Sequence, residues 1–251
     1  MSPLRIDPQP NPASNLPAVA AMHPEAPDFD AEFFRYHSAV SQFTMSSIER
    51  SYAVWKCTQY VAQRRIPGAL VQAGIWRGGA PMLSALALMK HGDTDRNIYL
   101  FDTFEGMPPP AEQDFEARTG VRAATHPDYV ERNRESHLFA YATRAEVERN
   151  MTATGYPPEH VHYIQGVVEE TVPGAAPTQI AYLQLDTNWY RSTLHNLKHL
   201  WERIAPGGVL FIEDYGYWAG ARQATDEFFS GRDDAPLLTR VDRTGRVAIK
   251  V

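Results

Sequence analysis

Two runs of apolar residues in this chain end in acid. Asp186 follows Ile180-Ala181-Tyr182-Leu183-Gln184-Leu185, and Glu213-Asp214 follows Gly208-Val209-Leu210-Phe211-Ile212. Short apolar runs of this kind read as buried strands, and open parallel sheets bind ligands at the carboxyl ends of their strands. Neighbouring parallel strands lie about 4.8 Å apart. Asp186, Glu213 and Asp214 can therefore share one hard divalent cation through oxygen ligands. A Mg²⁺ ion held there would grip substrate oxygens and favour an ionised hydroxyl. The competing reading of each acid is a solvated strand end or a helix cap.

A second site is expected at the turn Gly74-Ile75-Trp76-Arg77-Gly78-Gly79. Glycines at 74, 78 and 79 permit tight backbone geometry and close ligand approach. The helix that follows offers free N–H groups to a polar or anionic ligand. Ordinary strand–helix turns also use glycine, and the turn gains meaning from Asp102, which ends the next strand. A carboxylate there can accept from both ribose hydroxyls of a dinucleotide or an adenosyl cofactor. The plainer alternative is a loop or cap carboxylate. The spacing is Gly-x-x-x-Gly-Gly, not Gly-x-Gly-x-x-Gly, which disfavours a nicotinamide dinucleotide. S-adenosylmethionine carries no pyrophosphate and does not require that compact turn. Together the two sites suggest a metal-assisted transferase with a nucleotide-like cofactor.

Other chemistry-bearing residues are less specific. His126 and His137 fall in a polar insertion, where they read as surface histidines or as acid–base groups reaching a substrate. His195 and His199 share one helix face, which a solvated face explains better than zinc. Trp189, Tyr190, Tyr215, Tyr217 and Trp218 cluster near the acidic strand ends, as a substrate wall or as core. Cys57, the single cysteine, cannot form an intrachain disulfide and reads as buried packing.

The elements that must position these residues follow from periodicity. Phe33 to Arg65 is expected to be helical, as a cap over the cofactor site or as a helix packed on the sheet. Strands are expected at Ala69–Ile75, Asn97–Phe101, Val161–Gln165, Ile180–Leu185 and Val209–Ile212. Helices are expected from Pro81, over Tyr190–Ile204 and over Ala219–Phe229, with a closing hairpin of Leu237–Val241 and Arg246–Val251. Strand–helix–strand alternation predicts an α/β fold with a mostly parallel sheet and right-handed crossovers. Residues 1–30, rich in Pro, Ala and Asn, read as a flexible leader, and 31–251 as one domain. The insertion over about 108–158 reads as a lid above the ligand end of the sheet.

The chain's 251 residues suffice for one α/β domain with a substantial core. A net charge of −6 argues against a nucleic-acid partner. No apolar run is long enough to cross a membrane, and the N-terminus lacks the order of a secretory signal. The expectation is a cytoplasmic protein with a small-molecule substrate.

Several longer motifs carry a resemblance. Phe43–Arg50, Val71–Gly79, Phe101-Asp102-Thr103-Phe104-Glu105-Gly106-Met107-Pro108, Thr154-Gly155-Tyr156-Pro157, Gly166–Thr171, Leu185–Ser192 and Glu213–Trp218 resemble the macrocin O-methyltransferase family. The resemblance covers most of Phe43 to Phe229. It implies a class I, S-adenosylmethionine-dependent O-methyltransferase of antibiotic tailoring, often Mg²⁺-dependent, with a seven-stranded Rossmann-like sheet. It places the cofactor at Gln72, Gly74, Trp76, Arg77, Gly78, Asp102, Thr103, Phe104 and Gly166. It places the metal at Asp186, Glu213 and Asp214, with Asp186 also the catalytic residue. The acceptor would be a hydroxyl of a secondary metabolite such as a sugar, a phenol or a macrolide, and a homo-oligomer would fit.

Three positions depart from the family pattern. Gln72 and Asn188 stand where the family usually has acids, and Glu213 stands for an Asp. Gln72 cannot add charge assistance to the cofactor's ammonium, and Asn188 cannot act as a base near neutral pH. Glu213 is longer than Asp by one methylene. Two other readings follow: a divergent member with metal-independent or different chemistry, and a non-catalytic binding or partner subunit.

Overall fold

The computed structural model describes residue 26, residues 28–126 and residues 140–251. Most of the expected leader, His137 and the middle of the insertion lie outside the described residues.

Seven strands form one mixed sheet in the order β3-β2-β1-β4-β5-β7-β6. They are β1 (Ala69–Ala73), β2 (Ile98–Asp102), β3 (Val161–Gln165), β4 (Ile180–Leu185), β5 (Ile204–Ile212), β6 (Thr239–Arg240) and β7 (Arg246–Ile249). The first five are parallel to one another, and β7 runs antiparallel to both β5 and β6. Every residue of β1 and β4 is buried. This explains their continuous apolar composition, because a parallel strand has both faces covered.

Successive residues feed two cores on opposite faces. Leu70, Tyr182 and Phe211 pack under the helices α1 (Ala31–Val40), α2 (Ile48–Gln63) and α3 (Gly79–Lys90). Val71, Leu183 and Leu210 pack on the other face, against Leu197, Leu200 and Trp201. Leu197 and Leu200 belong to α6 (Tyr190–Leu200). The remaining helices are α4 (Arg144–Ala153), α5 (Val168–Thr171) and α7 (Ala219–Phe229). The order reverses beside β1, whose neighbours are β2 and β4. The loops that leave these strands therefore diverge and open a crevice at their carboxyl ends.

Two elements differ from expectation. The helix foreseen over Phe33–Arg65 is two helices, because Thr44 is extended and Ser47 caps α2 by accepting from Arg50 N at 3.2 Å. β5 begins at Ile204, well before Val209. A bulge makes this possible: Ile180 pairs with Ile204 but Tyr182 pairs with Val209. The Pro206-Gly207-Gly208 sequence that resembles a loop is this bulge, and Gly207 N still bonds Lys250 O at 2.7 Å.

Candidate active site

The β1 turn and Asp186 are pressed together. Gly74 has φ +78°, and a Cβ on it would lie 2.2 Å from the Asp186 carbonyl oxygen. Only glycine lets the end of β1 cross the end of β4 this closely. Asp186 N in turn donates to Ala73 O at 2.8 Å. Three loops at this end of the sheet each hold a non-glycine residue at positive φ: Trp76 at 48°, Phe104 at 54° and Asn188 at 65°. Such costly backbone conformations gather at ligand sites.

Between these loops lies a cavity of about 340 Å³. Gly74, Trp76, Asp102, Thr103, Gly166, Asp186 and Asp214 line it. The other expected site residues sit behind its walls. Gln72 is fully buried on the α2/α3 side, where its amide donates to Ser84 Oγ at 2.9 Å. Arg77 pairs with Glu146 at 2.6 Å and stacks on Phe43. Gly78 is the left-handed N-cap of α3, and Phe104 is buried in the core.

Asp102 organises the turn. Its Oδ2 accepts from Ile75 N at 2.8 Å and Trp76 N at 3.2 Å, and its Oδ1 accepts from Phe104 N at 2.8 Å. Burial pushes this carboxyl up, and the three backbone donors oppose the rise. The carboxylate thus joins the β1 and β2 loops while it borders the cavity.

The acidic cluster divides into two parts. Glu213 is completely buried and is not among the residues that line the cavity. Its Oε2 accepts from Arg50 Nη1 at 2.7 Å and Ser46 Oγ at 3.3 Å, and its Oε1 accepts from Gln184 Nε2 at 2.7 Å. Arg50 also reaches Asp242 Oδ2 through Nε at 3.1 Å. Asp186 and Asp214 both line the cavity. Burial holds Asp186 well above the usual carboxylate range, helped by the charges of Glu213 and Asp214. Burial also raises Glu213 and Asp214, against the attraction of Arg50. Burial alone would lower Arg50, but Glu213, Asp214, Asp186 and Asp242 together raise it. Several carboxylates surround one guanidinium, so the site carries uncompensated negative charge.

That donor set fits a hard divalent cation at Asp186 and Asp214. Among the described residues no group of three or more His, Cys, Asp or Glu is arranged to hold a metal. Glu213, committed to Arg50 and Gln184, is the member that does not face the cavity. The cavity also fits an adenosyl ligand. Trp76 Nε1 and Thr187 Oγ1 are buried with no hydrogen-bond partner among the described residues, and both residues line it. Asn188 is engaged elsewhere. With its amide oriented to suit its neighbours, it accepts from Trp218 Nε1 at 3.1 Å and donates to the Asp186 carbonyl at 2.9 Å.

The insertion supplies a wall that sequence patterns did not reveal. Asp114 is fully buried. It caps α6 from outside by accepting from Tyr190 N at 2.8 Å, and it accepts from Ala111 N at 2.7 Å. A Cβ on Gly220 would lie 1.9 Å from Asp114 Oδ1, so the start of α7 must be glycine for this loop to dock. Glu116 pairs with Trp218 in an isolated antiparallel bridge. Ala123, Trp189, Trp218 and Ala221 form a small third core beneath. Arg50, Ser46 and Gln184 were also missed as partners of Glu213. Only the Phe43–Arg50 motif hinted at the first two, since an arginine inside an amphipathic helix carries no signal of its own.

A mostly parallel sheet of this order, with its cavity at the β1/β4 crevice, defines a class I methyltransferase fold. The macrocin O-methyltransferase (TylF) family model matches residues 33–249, and the chain belongs to that family. It is an S-adenosylmethionine-dependent O-methyltransferase. It is 29% identical over 232 residues to the 8-demethyl-8-(2,3-dimethoxy-α-L-rhamnosyl)-tetracenomycin-C 4'-O-methyltransferase of Streptomyces olivaceus, covering 92% of this chain and 84% of that one. It is 30% identical to the demethyldecarbamoylnovobiocin O-methyltransferase of Streptomyces niveus, over 80% of this chain and 73% of that one. Among solved structures, the O-methyltransferase NovP superposes with a TM-score of 0.71 at 28% identity, over 83% of this chain and 82% of that one. The calicheamicin methyltransferase CalS11, at 16% identity and a TM-score of 0.60, shares the fold over 96% of this chain and 94% of its own. No helix among the described residues is long and apolar enough to cross a membrane.

Proposed function

We propose that this enzyme methylates a hydroxyl of a small secondary metabolite of sugar, phenol or macrolide type, with Mg²⁺ at Asp186 and Asp214. The observation that carries this is that Asp186 and Asp214 line the same cavity as the Gly74 turn and Asp102. The related tetracenomycin, novobiocin and mycinamicin enzymes, by their names, support an acceptor of this class.

Bound S-adenosylmethionine supplies an electrophilic methyl group, and a bound divalent cation supplies charge that favours the ionised acceptor oxygen. The chain's own residues do the positioning. Asp102, braced by three backbone N–H groups, borders the adenosyl end, with Thr103 and Gly166 beside it. Asp186 and Asp214 present oxygens at the acceptor end. Trp218 and Tyr217 wall that end and exclude water. Arg50 and Gln184 grip the buried Glu213 carboxyl, which keeps the adjacent Asp214 in place. Positioning of this kind, with stabilised oxygen charge, accounts for most of what in-line transfer requires.

The test is methyl transfer from isotopically labelled S-adenosylmethionine to demethyldecarbamoylnovobiocin and mycinamicin III, with and without chelator. Transfer that disappears in chelator, returns with Mg²⁺ and falls by about 100-fold or more in Asp186→Asn supports the reading. Full turnover by a verified metal-free preparation overturns the metal assignment, and absence of cofactor binding overturns the site.

A further inference from the structure

We propose that Arg243 is an acceptor-recognition residue, and that it selects acceptors with an anionic oxygen group near the hydroxyl to be methylated. That group is a carboxylate or an ionised ring hydroxyl. This rests on the reading above, because it names the acceptor chemistry for that cavity.

Two arginines line the cavity, in opposite surroundings. Arg50 is sunk among carboxylates and pairs with Glu213 at 2.7 Å and Asp242 at 3.1 Å. Its charge is spent inside the protein. Arg243 is exposed, and among the described residues its guanidinium forms no ion pair and no hydrogen bond. It lies over the Tyr217 ring, 6.0 Å from the centroid, where the aromatic face attracts a cation. A guanidinium presents its donors in a planar fork that matches the paired oxygens of a carboxylate. That fork is open to a ligand here.

The backbone that presents Arg243 is pinned on both sides. Arg243 sits in the turn between β6 and β7. Asp242 Oδ1 accepts from Thr244 N at 2.7 Å and Gly245 N at 2.6 Å. Asp242 Oδ2 accepts from Ser47 Oγ at 2.8 Å and Arg50 Nε at 3.1 Å. Asp242 is thus committed to its own turn and to α2, and it leaves its neighbour Arg243 unneutralised. Gly216 N donates to Thr244 O at 2.8 Å. A Cβ on Gly216 would lie 2.0 Å from Arg243 O, so glycine there lets the turn dock on the loop after Asp214.

The sheet order fixes which end of the cavity this is. β7 lies beside β5, which leads into Asp214, whereas β2, which carries Asp102, lies on the far side of β1. Arg243 therefore stands at the acceptor end, with Thr244, Tyr217 and Trp218. Asp186 and Asp214 set negative charge into the same cavity and would repel an anionic acceptor. A fixed cation at the rim offsets that repulsion and turns it into orientation, because the anionic group settles at Arg243 and away from the acids.

Calorimetry on the enzyme saturated with S-adenosylhomocysteine tests this, in chelator so that no metal bridges the probe. The probes are 4-carboxyphenyl α-L-rhamnoside and the 7-O-α-L-rhamnoside of 4,7-dihydroxycoumarin, which is ionised at its 4-hydroxyl. Their neutral partners are the methyl ester and the 4-methyl ether. At least one anionic probe should bind about tenfold or more tightly than its neutral partner. A margin for one pair alone identifies the group as carboxylate or as ring hydroxyl. Arg243→Gln should erase the margin, and Arg243→Lys should keep part of it, since an ammonium is a point charge without the fork. Added salt should shrink it. Unchanged S-adenosylhomocysteine affinity in both variants shows an intact cavity. With Mg²⁺ and S-adenosylmethionine, the margin should appear in KM and not in kcat. No binding of any probe, no margin in either pair, or a margin that survives Arg243→Gln overturns the proposal. Metal-dependent transfer to the acceptors named above, without a margin here, defeats this inference and not that reading. A margin lost in Arg243→Gln, with transfer indifferent to chelator, does the reverse.

Discussion

Replacing Arg50 by Met tests how the acidic cluster is held. The change keeps a long apolar stem and removes both charged contacts, to Glu213 at 2.7 Å and to Asp242 at 3.1 Å. The Arg50 and Glu213 side chains are 15% and 0% exposed, so solvent screens this pair little. Removing one partner of a buried ion pair costs about 3–5 kcal/mol, because the other charge is stranded. Glu213 keeps its bonds from Gln184 and Ser46, which moves the expectation to the low end, about 3 kcal/mol. For a chain of this size that lowers Tm by about 6–12 °C. Urea unfolding of the metal-free protein measures it. Burial already raises the Glu213 carboxyl, and loss of Arg50 raises it further. The folded variant then takes up a proton before the unfolded chain does, so the deficit shrinks as pH falls. Adding Glu213→Gln to the variant should recover most of the loss. A cost below about 1 kcal/mol, the value of an exposed pair, or an equal cost in the Glu213→Gln background, would refute the reasoning.

Asp102→Ala removes the acceptor for Ile75, Trp76 and Phe104 N–H groups, and should weaken S-adenosylmethionine binding by about 1.5–3 kcal/mol in calorimetry. Unchanged affinity in a folded variant would defeat that assignment. In chelator, Asp186, Glu213 and Asp214 all sit above their unfolded pKa values. The folded state then holds more protons, so stability should fall as pH rises out of the usual carboxylate range. Mg²⁺ should add more stability at higher pH, because a cation binds carboxylates in their ionised form; melting curves that show equal Mg²⁺ gains across that range would contradict this. Burial pushes the Cys57 thiol from 9.0 up to about 12, so Ellman's reagent should label the native protein about a thousandfold more slowly than the unfolded chain. Rapid native labelling would show the helix face to be open.

Much of the fold was legible because parallel strands bury both faces and so announce themselves as apolar runs. β1 and β4 were placed within two residues of their observed ends. The break between α1 and α2 was not visible, since Phe43 to Ser47 carries neither proline nor glycine. The bulge in β5 hid behind Pro206-Gly207-Gly208, a loop signature by any local rule. At the site, Asp102, Asp186 and Asp214 were readable as strand-end acids. The direction of Glu213 was not, because it depends on Arg50, 163 residues away in sequence. Gln72 was placed at the cofactor on resemblance, yet it lies one pleat inside the core and bonds Ser84. Asp114 and Glu116 were lost in a polar stretch whose order comes from docking on α6 and α7, not from any periodicity.

The position of β7 has a consequence for synthesis on the ribosome. β7 lies between β5 and β6 and is made after every parallel strand. Until it emerges, β5 offers an open edge whose Val209, Leu210, Phe211 and Ile212 seek a backbone partner. Such an edge invites pairing with another nascent chain. The loop that precedes β7 also carries Asp242, the second anchor of Arg50. Emergence of the β6–β7 hairpin therefore both closes the β5 edge against aggregation and completes the anchoring of the acidic cluster. A pause before it would leave chains with a nearly complete core, an unfinished active site and an adhesive edge.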